Sequence, residues 1–442
     1  MARRNHRKRL PTEAVQATIE SLSHDGRGIA RIEGKTVFVD GALAGEDVSF
    51  KYTRIHKKYD EARVISVESA SGDRVAAKCQ HFGVCGGCSL MHMAPEAQLS
   101  LKQDTLKEQL SHFGQLTPEN WLAPLTGPLW GYRRKARLGV RYVTKKEKVL
   151  VGFREKGSPY LAELTQCEVL DPRVGLRLEE LGVMIAGLEA YNRIAQIEVA
   201  MDDVNTALVF RNMDPLCETD KQKLINYGQQ QDLWIYLQSG GPDTVSPLWP
   251  EAPQLHYAPE DGLRLEFAPG DFTQVNAGIN HKMIAKAIEL LDLQESDRVL
   301  DLFCGLGNFT LPLAKRVSSV IGVEGDKSLV AHAQRNAAMN GLDNAVFEMA
   351  DLTITQLKDY PWAQEGFTKV LLDPPRSGAF EVLGQIAELG AETIVYVSCN
   401  PATLARDAGE LVNQYGYTLV QTGIMDMFPH TSHVESIALF KK

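Results

Sequence analysis

Residues 299–308 have the sequence VLDLFCGLGN, in which an apolar strand is followed by a loop with two glycines and by the start of a helix. Glycines at the carboxyl end of such a strand let the backbone come close to a bound ligand. Helical and strand periodicities alternate on both sides of this stretch. Helices are predicted at 275–291, 308–314 and 328–340, and strands at 298–303, 317–324, 369–372 and 393–398. From about residue 266 onward the pattern therefore predicts a doubly wound, Rossmann-like α/β domain.

Acidic residues stand where the predicted strands end. Glu324 closes the next strand, 19 residues after the first loop glycine, where an acid accepts hydrogen bonds from ribose hydroxyls. Asp351 and Asp373 follow later strands. A dinucleotide fingerprint needs a third glycine, but Thr310 occupies that position, and Asp301 suits the cations of S-adenosylmethionine (AdoMet). The set predicts an AdoMet site, and a Rossmann domain for another small ligand is the alternative.

The sequence DPPR at 373–376 bears on which atom is methylated. Amine-methylating enzymes of nucleic acids place an aromatic residue after the second proline. This chain has Arg376 there, which argues against methylation of an exocyclic amine. No cysteine stands beside that proline, where cytosine-C5 enzymes usually have one. Cys399 instead follows a predicted buried strand and lies over the active-site crevice, unless it is a core thiol. Carbon 5 of uracil needs a thiolate added at C6 before it can attack a methyl group. Cys399 is therefore the predicted nucleophile, with a depressed pKa or a nearby base expected.

A base must later remove the C5 proton so that the thiolate can leave. The segment 428–436, FPHTSHVES, supplies candidates. Glu435 is the first choice and His430 or His433 the second, because a buried carboxylate can serve as a base near neutral pH. A solvated acid at the end of a strand is the alternative reading of Glu435.

Seven cysteines are spread unevenly, which is a poor pattern for disulfides and favours a reducing, cytosolic compartment. Cys79, Cys85 and Cys88 are close together, and 78 residues separate the last of them from Cys167. Zinc sites usually pair their ligands two and two, whereas three close thiolates and one distant thiolate suit a [4Fe–4S] cluster. A cluster is therefore predicted, with zinc and then unliganded thiols as alternatives.

Short alternating segments before residue 70 indicate five strands, at 14–19, 28–32, 35–39, 47–52 and 61–67. This spacing favours a small oligonucleotide-binding-type β-barrel, and a generic β-domain is the alternative. A basic arm precedes it. Residues 130–156 carry ten basic and two acidic side chains, and predict a β-hairpin with a cationic face on which Tyr132 and Tyr142 either stack bases or pack inward.

The 442-residue chain is long enough for two or three domains, and its net charge of −9 at first argues against a nucleic-acid partner. The charge is uneven, however. Residues 1–78 carry +4 and residues 130–156 carry +8, so the rest carries −21. An RNA-binding face is therefore compatible with an acidic chain.

Five motifs together resemble the AdoMet-dependent RNA uracil-C5 methyltransferases: QVN at 274–276, DLFCGLGN at 301–308, DPPR at 373–376, SCNPAT at 398–403 and FPHTSHVE at 428–435. Pro375 departs from the alanine of relatives. The resemblance implies that Cys399 is the nucleophile and Glu435 the base. It implies AdoMet contacts from Gln274, Phe303, Asn308, Glu324, Asp351 and Asp373, and a [4Fe–4S] cluster on Cys79, Cys85, Cys88 and Cys167.

The resemblance also implies a domain order. It comprises a basic arm at 1–11, an OB-like TRAM barrel at 12–75, a central α+β domain with the iron–sulfur loop at 76–265, and the AdoMet methyltransferase domain at 266–442. A helix at 95–113 is expected to pack on the catalytic domain. TRAM together with the cluster loop is typical of the bacterial enzymes that act on 23S ribosomal RNA.

The predicted activity is transfer of a methyl group from AdoMet to C5 of a specific uridine in 23S ribosomal RNA. The uridine must be single-stranded or flipped out to meet both thiol and cofactor. A cytoplasmic monomer without membrane contact is expected. The alternatives are the same chemistry on another ribosomal or transfer RNA, and a non-catalytic RNA-binding factor.

Overall fold

The computed structural model describes residues 10–354, 356–364 and 366–442. The predicted basic arm therefore lies almost wholly outside the described residues. The backbone groups into two compact units. The first comprises the chain up to Thr105 together with Phe428–His433, and the second comprises Leu106–Met427 together with Val434–Lys442. The predicted domain boundaries at 75/76 and 265/266 stay a prediction.

The first unit contains a six-stranded sheet of order β1-β5-β6-β4-β3-β2. Its strands are β1 (Val15–Thr18), β2 (Ser21–Leu22), β3 (Gly28–Ile32), β4 (Lys35–Asp40), β5 (Asp47–Ile55) and β6 (Tyr59–Ser69). Alternate residues of these strands, among them Val37, Val39 and Phe50, are fully buried in one small core. The five predicted strands are confirmed, and the sequence missed only the two-residue β2, which is too short to show a period.

Helix α1 (Pro95–Gln109) follows, and a π-helical turn at Leu110–Gly114 and the short strand β7 (Asn120–Trp121) come after it. The predicted helix at 95–113 therefore changes hydrogen-bonding pattern in its last turn. Within the second unit, this turn packs closely on a later helix: a Cβ on Gly114 would lie 2.8 Å from the carbonyl oxygen of Ala405.

A six-stranded sheet of order β13-β12-β11-β10-β8-β9 opens the second unit. Its strands are β8 (Lys135–Val143), β9 (Lys148–Gly152), β10 (Ile194–Met201), β11 (Thr206–Asn212), β12 (Trp234–Gln238) and β13 (Val245–Trp249). The helices α2 (Pro172–Gly175), α3 (Leu178–Ala186) and α4 (Glu218–Gln231) lie between them in sequence. The Gly- and Pro-rich residues 240–253 contain β13, and Pro247 is tolerated there because β13 is an edge strand.

A two-stranded ribbon, β14 (Leu255–Tyr257) and β15 (Leu265–Phe267), leads into an eight-stranded sheet of order β18-β17-β16-β19-β20-β22-β21-β7. Its remaining strands are β16 (Arg298–Leu302), β17 (Ser319–Glu324), β18 (Ala345–Met349), β19 (Lys369–Leu372), β20 (Thr393–Ser398), β21 (Thr418–Met425) and β22 (Glu435–Lys441). The strands from β18 to β20 are parallel, and β22 is antiparallel to both β20 and β21. This arrangement confirms the Rossmann-like prediction.

The helices of this sheet are α5 (Ala277–Leu291), α6 (Thr310–Ala314), α7 (Lys327–Met339), α8 (Phe380–Glu388) and α9 (Pro401–Asn413). Asn276, Asp326 and Asn400 cap α5, α7 and α9 through side-chain oxygens that accept backbone N–H groups. Asn276 is the last residue of the QVN motif, and Asn400 directly follows Cys399. No helix in the described ranges is long and apolar enough to cross a membrane.

Candidate active site

The loop between β16 and α6 makes a sharp bend that requires unusual backbone angles. Phe303, Gly305 and Gly307 have φ values of +64°, +55° and +92°. A side chain on Gly307 would meet Phe347 at 3.3 Å, so glycine is needed there for both angle and space. Phe303 adopts the same left-handed region without being glycine, a strained conformation that is common at ligand sites.

Glu324, at the end of β17, holds this loop with its carboxylate. Its Oε2 accepts the N–H of Gly305 at 3.1 Å, and its Oε1 accepts the N–H of Gly325 at 2.8 Å. Oε1 also accepts the N–H of Asp326 at 3.1 Å, so of about four acceptor positions on the carboxylate one remains for a ribose hydroxyl. The predicted ribose-binding acid is therefore fixed in position by the glycine loop itself.

Thr310, which occupies the position of the third glycine in a dinucleotide fingerprint, makes a hydrogen bond that glycine could not make. Its hydroxyl donates a 2.5 Å hydrogen bond to Oδ2 of Asp301, and both residues are completely buried. Burial, together with the charge of Glu324, raises the pKa of Asp301 to about 7. Asp301 is therefore poised between its neutral and charged forms near neutral pH, and a cation placed beside it would favour the carboxylate.

Asn308 belongs to a hydrogen-bond network that the sequence did not reveal. Its amide oxygen accepts from the Tyr257 hydroxyl and from the Asn280 amide, both at 2.9 Å, and its own amide donates to Asn280 at 2.9 Å. Gln274 lines a small cavity beside Tyr257 and Asn280. Two of the predicted AdoMet contacts are thus brought close to one network, while Tyr257 and Asn280 carry no motif signal.

The two remaining acids of the predicted cofactor set differ in environment. Asp351 is exposed, and hydrogen bonds from the hydroxyl and backbone N–H of Thr353 lower the pKa of its carboxyl. Asp373 follows β19 directly, and its N–H donates to the carbonyl of Leu302 at 3.3 Å. Burial, and then the charges of Glu435 and Asp301, raise the pKa of Asp373 well above its usual range.

Cys399 and Glu435 are brought together by strand pairing. Ser398 at the end of β20 pairs with Ser436 of β22, and Cys399 and Glu435 are the next residues outward on the two strands. Glu435 also pairs with Met425 of β21, and only 9% of it is exposed. Two residues 36 positions apart in sequence therefore meet at one edge of the sheet, next to Asp373.

The environment of the Cys399 thiol differs from the prediction. Burial, and then the charges of Glu435 and Asp373, raise the pKa of Cys399 to about 11 from an ordinary 9.0. The predicted depression of the thiol pKa is therefore wrong. The alternative, a nearby base that takes the thiol proton, stays a prediction.

Arg376 opposes this effect, since its guanidinium charge lowers the pKa of the Cys399 thiol. Its carbonyl oxygen accepts the side-chain amide of Asn400 at 3.0 Å and the hydroxyl of Thr403 at 3.4 Å. These bonds tie the DPPR loop to the first turn of α9. From the sequence, Arg376 served only as an argument against amine methylation. In the structure, its charge lies near the Cys399 thiol.

The histidines considered as second candidates for the base belong to the first unit. His430 is buried, with a φ of +66°. Its N–H donates to Oε1 of Gln98 at 2.8 Å, and its carbonyl accepts the N–H groups of Ser89 and Leu90 at 3.0 and 2.9 Å. His433 packs edge-on against Phe428, 4.8 Å between ring centroids. Nδ1 of His430 lies 3.4 Å from Nε2 of Gln98, so both rings make contacts within the first unit.

The predicted cluster ligands divide between the units, with Cys79, Cys85 and Cys88 in the first and Cys167 in the second. The segment 79–88 is neither helix nor strand, and its backbone reverses through bonds from the N–H of Phe82 to Cys79 and from the N–H of Cys85 to His81. Across the described residues, no group of three or more His, Cys, Asp or Glu side chains is arranged to hold a metal ion.

The predicted cationic hairpin is formed by β8 and β9, but acids of the second unit accompany it. Arg134 pairs with Asp203, Lys135 and Arg137 with Glu198, and Lys146 and Lys148 with Glu163. The charge of +8 counted along the chain therefore overstates the field at this surface. Tyr132 is buried, which favours inward packing over base stacking, and Tyr142 packs edge-on against Tyr191.

Comparison with known proteins decides the family. A model described as tRNA (Uracil-5-)-methyltransferase matches residues 258–442, and a TRAM domain model matches residues 8–65. The chain is 56% identical over its full length to 99% of a protein of Nitrosococcus oceani named 23S rRNA (uracil(1939)-C(5))-methyltransferase RlmD. The chain belongs to the AdoMet-dependent RNA uracil-C5 methyltransferase family. A protein of the same name from Methylococcus capsulatus is 51% identical, with both chains fully covered.

A solved member of this wider group has the same fold. The Pyrococcus abyssi tRNA (uracil-54, C5)-methyltransferase, crystallised with S-adenosyl-L-homocysteine, matches 96% of this chain and 99% of its own with a TM-score of 0.74. The two sequences are 24% identical, so this likeness supports the fold alone. The full-length matches agree with the TRAM barrel and the methyltransferase sheet that the sequence predicted.

Proposed function

We propose that this enzyme methylates C5 of a uridine in 23S ribosomal RNA, the one that corresponds to uracil 1939 in the names of its relatives, to give 5-methyluridine. The observation that carries the proposal is that Cys399 and Glu435 are the next residues outward from the Ser398–Ser436 pair, with Asp373 close enough to act on both. A nucleophile and a base at adjacent pairing positions are what addition at C6 and proton removal at C5 require.

Cys399 would act first, as a thiolate that bonds to C6 of uracil and moves an electron pair of the ring toward C5. AdoMet supplies the methyl group that C5 then takes. Glu435 would next remove the proton from C5, and the returning electron pair would expel the Cys399 thiolate. The protonated, uncharged form that burial favours for Asp373 has an O–H donor to offer to the uracil ring or the cofactor.

The AdoMet site would be formed by the loop and strand ends. Glu324 would bind the ribose, and Asp351 lies at the end of the next strand in the sheet. Asn308 has one amide hydrogen left after its bonds to Tyr257 and Asn280, which suits the cofactor carboxylate. Gln274 and Phe303 would complete the set.

A raised thiol pKa predicts slow alkylation of Cys399. With a pKa of about 11, the thiolate fraction at pH 8 is ~1 in 1,000. The rate at which iodoacetamide alkylates Cys399, followed by mass spectrometry, is expected to increase with pH. The midpoint of this increase should lie near pH 11. Glu435→Gln removes one of the charges that raise the pKa, so alkylation at pH 8 should become faster. The exposed Cys217 is the internal reference; equal pH profiles for both cysteines would contradict the prediction.

A [4Fe–4S] cluster would be held by Cys79, Cys85, Cys88 and Cys167. Four thiolates suit this group, and the segment 79–88, free of helix or strand, leaves its three thiols partly exposed. The cluster would have a structural role, tying the two ligand segments together. Protein purified without oxygen is expected to contain about four iron and four sulfide per chain, and Cys167→Ser to lose most of both. Stoichiometric zinc would instead support the alternative site.

RNA would bind to the basic arm, the TRAM barrel and the β8–β9 hairpin. The enzyme would act as a monomer in the cytoplasm. Mapping 5-methyluridine in total RNA from cells with and without the gene tests the substrate. Loss of one site in 23S RNA supports the proposal. Loss of a site in another ribosomal or transfer RNA would support the same chemistry on a different substrate, and no loss would favour a non-catalytic RNA-binding role.

A further inference from the structure

Two aromatic rings lie next to each other on the outer face of the TRAM barrel. Strands β4 and β6 pair in parallel, so that Thr36 is opposite Tyr59 and Phe38 is opposite Glu61. Val37 and Val39, on either side of Phe38, are fully buried in the barrel core. Because side chains alternate along a strand, Phe38 points outward. Its ring lies 5.5 Å from that of Tyr59, centroid to centroid, at an angle of 78°.

Further flat groups extend this pair. The ring of His56 stacks on Tyr59 at 4.5 Å with an angle of 28° between their planes. The guanidinium of Arg27 lies 4.7 Å above the ring of Phe38. Tyr59 nevertheless keeps 37% of its surface exposed. The result is a row of planar side chains on the outer surface of one sheet, which we call the aromatic row: Arg27, Phe38, His56 and Tyr59.

The turn between β5 and β6 adds positive charge to one end of this row. Arg54, Lys57 and Lys58 are exposed, and none of them takes part in an ion pair among the residues that the structure describes. Within the row, by contrast, Arg27 is paired with Asp25 at 2.8 Å and with Glu61 at 3.7 Å, and Glu61 also lies 3.6 Å from Nε2 of His56. The turn therefore carries cations that are available to phosphate groups, directly beside exposed aromatic surface.

We propose that the aromatic row binds a single-stranded segment of RNA, with a base stacked on Tyr59 and the sugar–phosphate backbone along the β5–β6 turn. Stacking on an aromatic side chain accepts any base, and cations beside it follow the backbone. The concentration of cations in this turn favours RNA over an uncharged or basic protein partner. The proposal rests on the proposed function for the identity of the substrate, but it concerns binding, which is measured separately from methyl transfer.

The full-length protein is titrated with a fluorescein-labelled single-stranded 16-nucleotide RNA, and the anisotropy gives Kd. Tyr59→Ala and Tyr59→Leu are expected to weaken binding about tenfold, whereas Tyr59→Trp keeps the Kd within about twofold because it keeps a stacking face. Ile65→Ala, which removes an exposed apolar side chain from the same strand, is the matched control and should bind as the wild type does. The same RNA in a duplex should show no difference between the variants.

Charge is tested by the double variant Lys57→Glu and Lys58→Glu, which should lower the slope of log Kd against log salt by about one or more. Wild-type affinity in Tyr59→Ala would overturn the proposal. Wild-type affinity in Tyr59→Leu would show apolar contact and overturn stacking. Binding of a protein that the Tyr59 variants lose while RNA affinity is unchanged would also overturn it. Failure of the proposed chemistry is seen independently, because it would leave the wild-type protein unable to methylate RNA while its RNA affinity still responded to the Tyr59 substitutions.

Discussion

Cys399→Ala is expected to abolish methyl transfer, with the rate falling by a factor on the order of 10⁴ to 10⁶, the range seen when a covalent nucleophile is removed. Carbon 5 of uracil cannot attack a methyl group without prior addition at C6, so no slower route with the same intermediate is available. Incorporation of labelled methyl groups into 23S RNA measures the loss. AdoMet affinity, measured by calorimetry, should change little, because the predicted cofactor contacts do not include Cys399.

The matched control for this substitution is Cys217→Ala, which removes an exposed thiol at the start of α4. It should leave the rate of methylation unchanged. Turnover near the wild-type level in Cys399→Ala would disprove the assignment of the nucleophile. A parallel loss of AdoMet binding would instead indicate that the substitution disturbs the sheet edge.

Glu435→Gln is expected to stop the reaction one step later. The thiolate can still add and C5 can still be methylated, but the amide cannot take the C5 proton, so elimination stalls. A covalent complex of protein and RNA should then accumulate and remain on a denaturing gel, while turnover falls by about 10² to 10⁴. The same gel run with AdoMet labelled in its methyl group should show label in the complex.

Two controls make this result specific. Glu388→Gln, an exposed acid at the end of α8, should form no lasting complex and should turn over normally. The double variant Cys399→Ala with Glu435→Gln should form no complex, because the bond to C6 requires the thiol. Normal turnover in Glu435→Gln without a complex would move the base to another residue.

Much of the catalytic sheet could be predicted from sequence because Asp373 and Cys399 each follow a strand with a clear apolar pattern. The strands at 369–372 and 393–398 were predicted with the bounds that they have in the structure. Asp373 and Cys399 come directly after them, and parallel neighbouring strands bring both to the same edge. The sequence did not reveal the order of the strands. In the structure, β22 pairs antiparallel with β20 and so brings Glu435 to the edge of the sheet where Cys399 lies.

The errors concern interactions between residues distant in sequence. The pKa of Cys399 is raised by burial and by acids that arrive on β19 and β22, and no local pattern near residue 399 contains that information. The cationic hairpin was counted without the acids of a neighbouring strand, such as Glu198. Tyr257 and Asn280 were missed for the same reason. Each lies in an ordinary strand or helix, and only its hydrogen bond to Asn308 connects it to the site.

The membership of Phe428–His433 in the first unit limits how this protein can be shortened. In that unit the carbonyl of His430 accepts two backbone N–H groups from Ser89 and Leu90, and the amine of Lys102 donates to the carbonyl of Phe428 at 3.0 Å. Deleting the N-terminal 105 residues would remove the donors Ser89, Leu90 and Lys102 from these bonds, one residue away from the strand that begins with Glu435. A protein shortened in this way is therefore expected to need compensating substitutions in residues 428–433 to keep its stability.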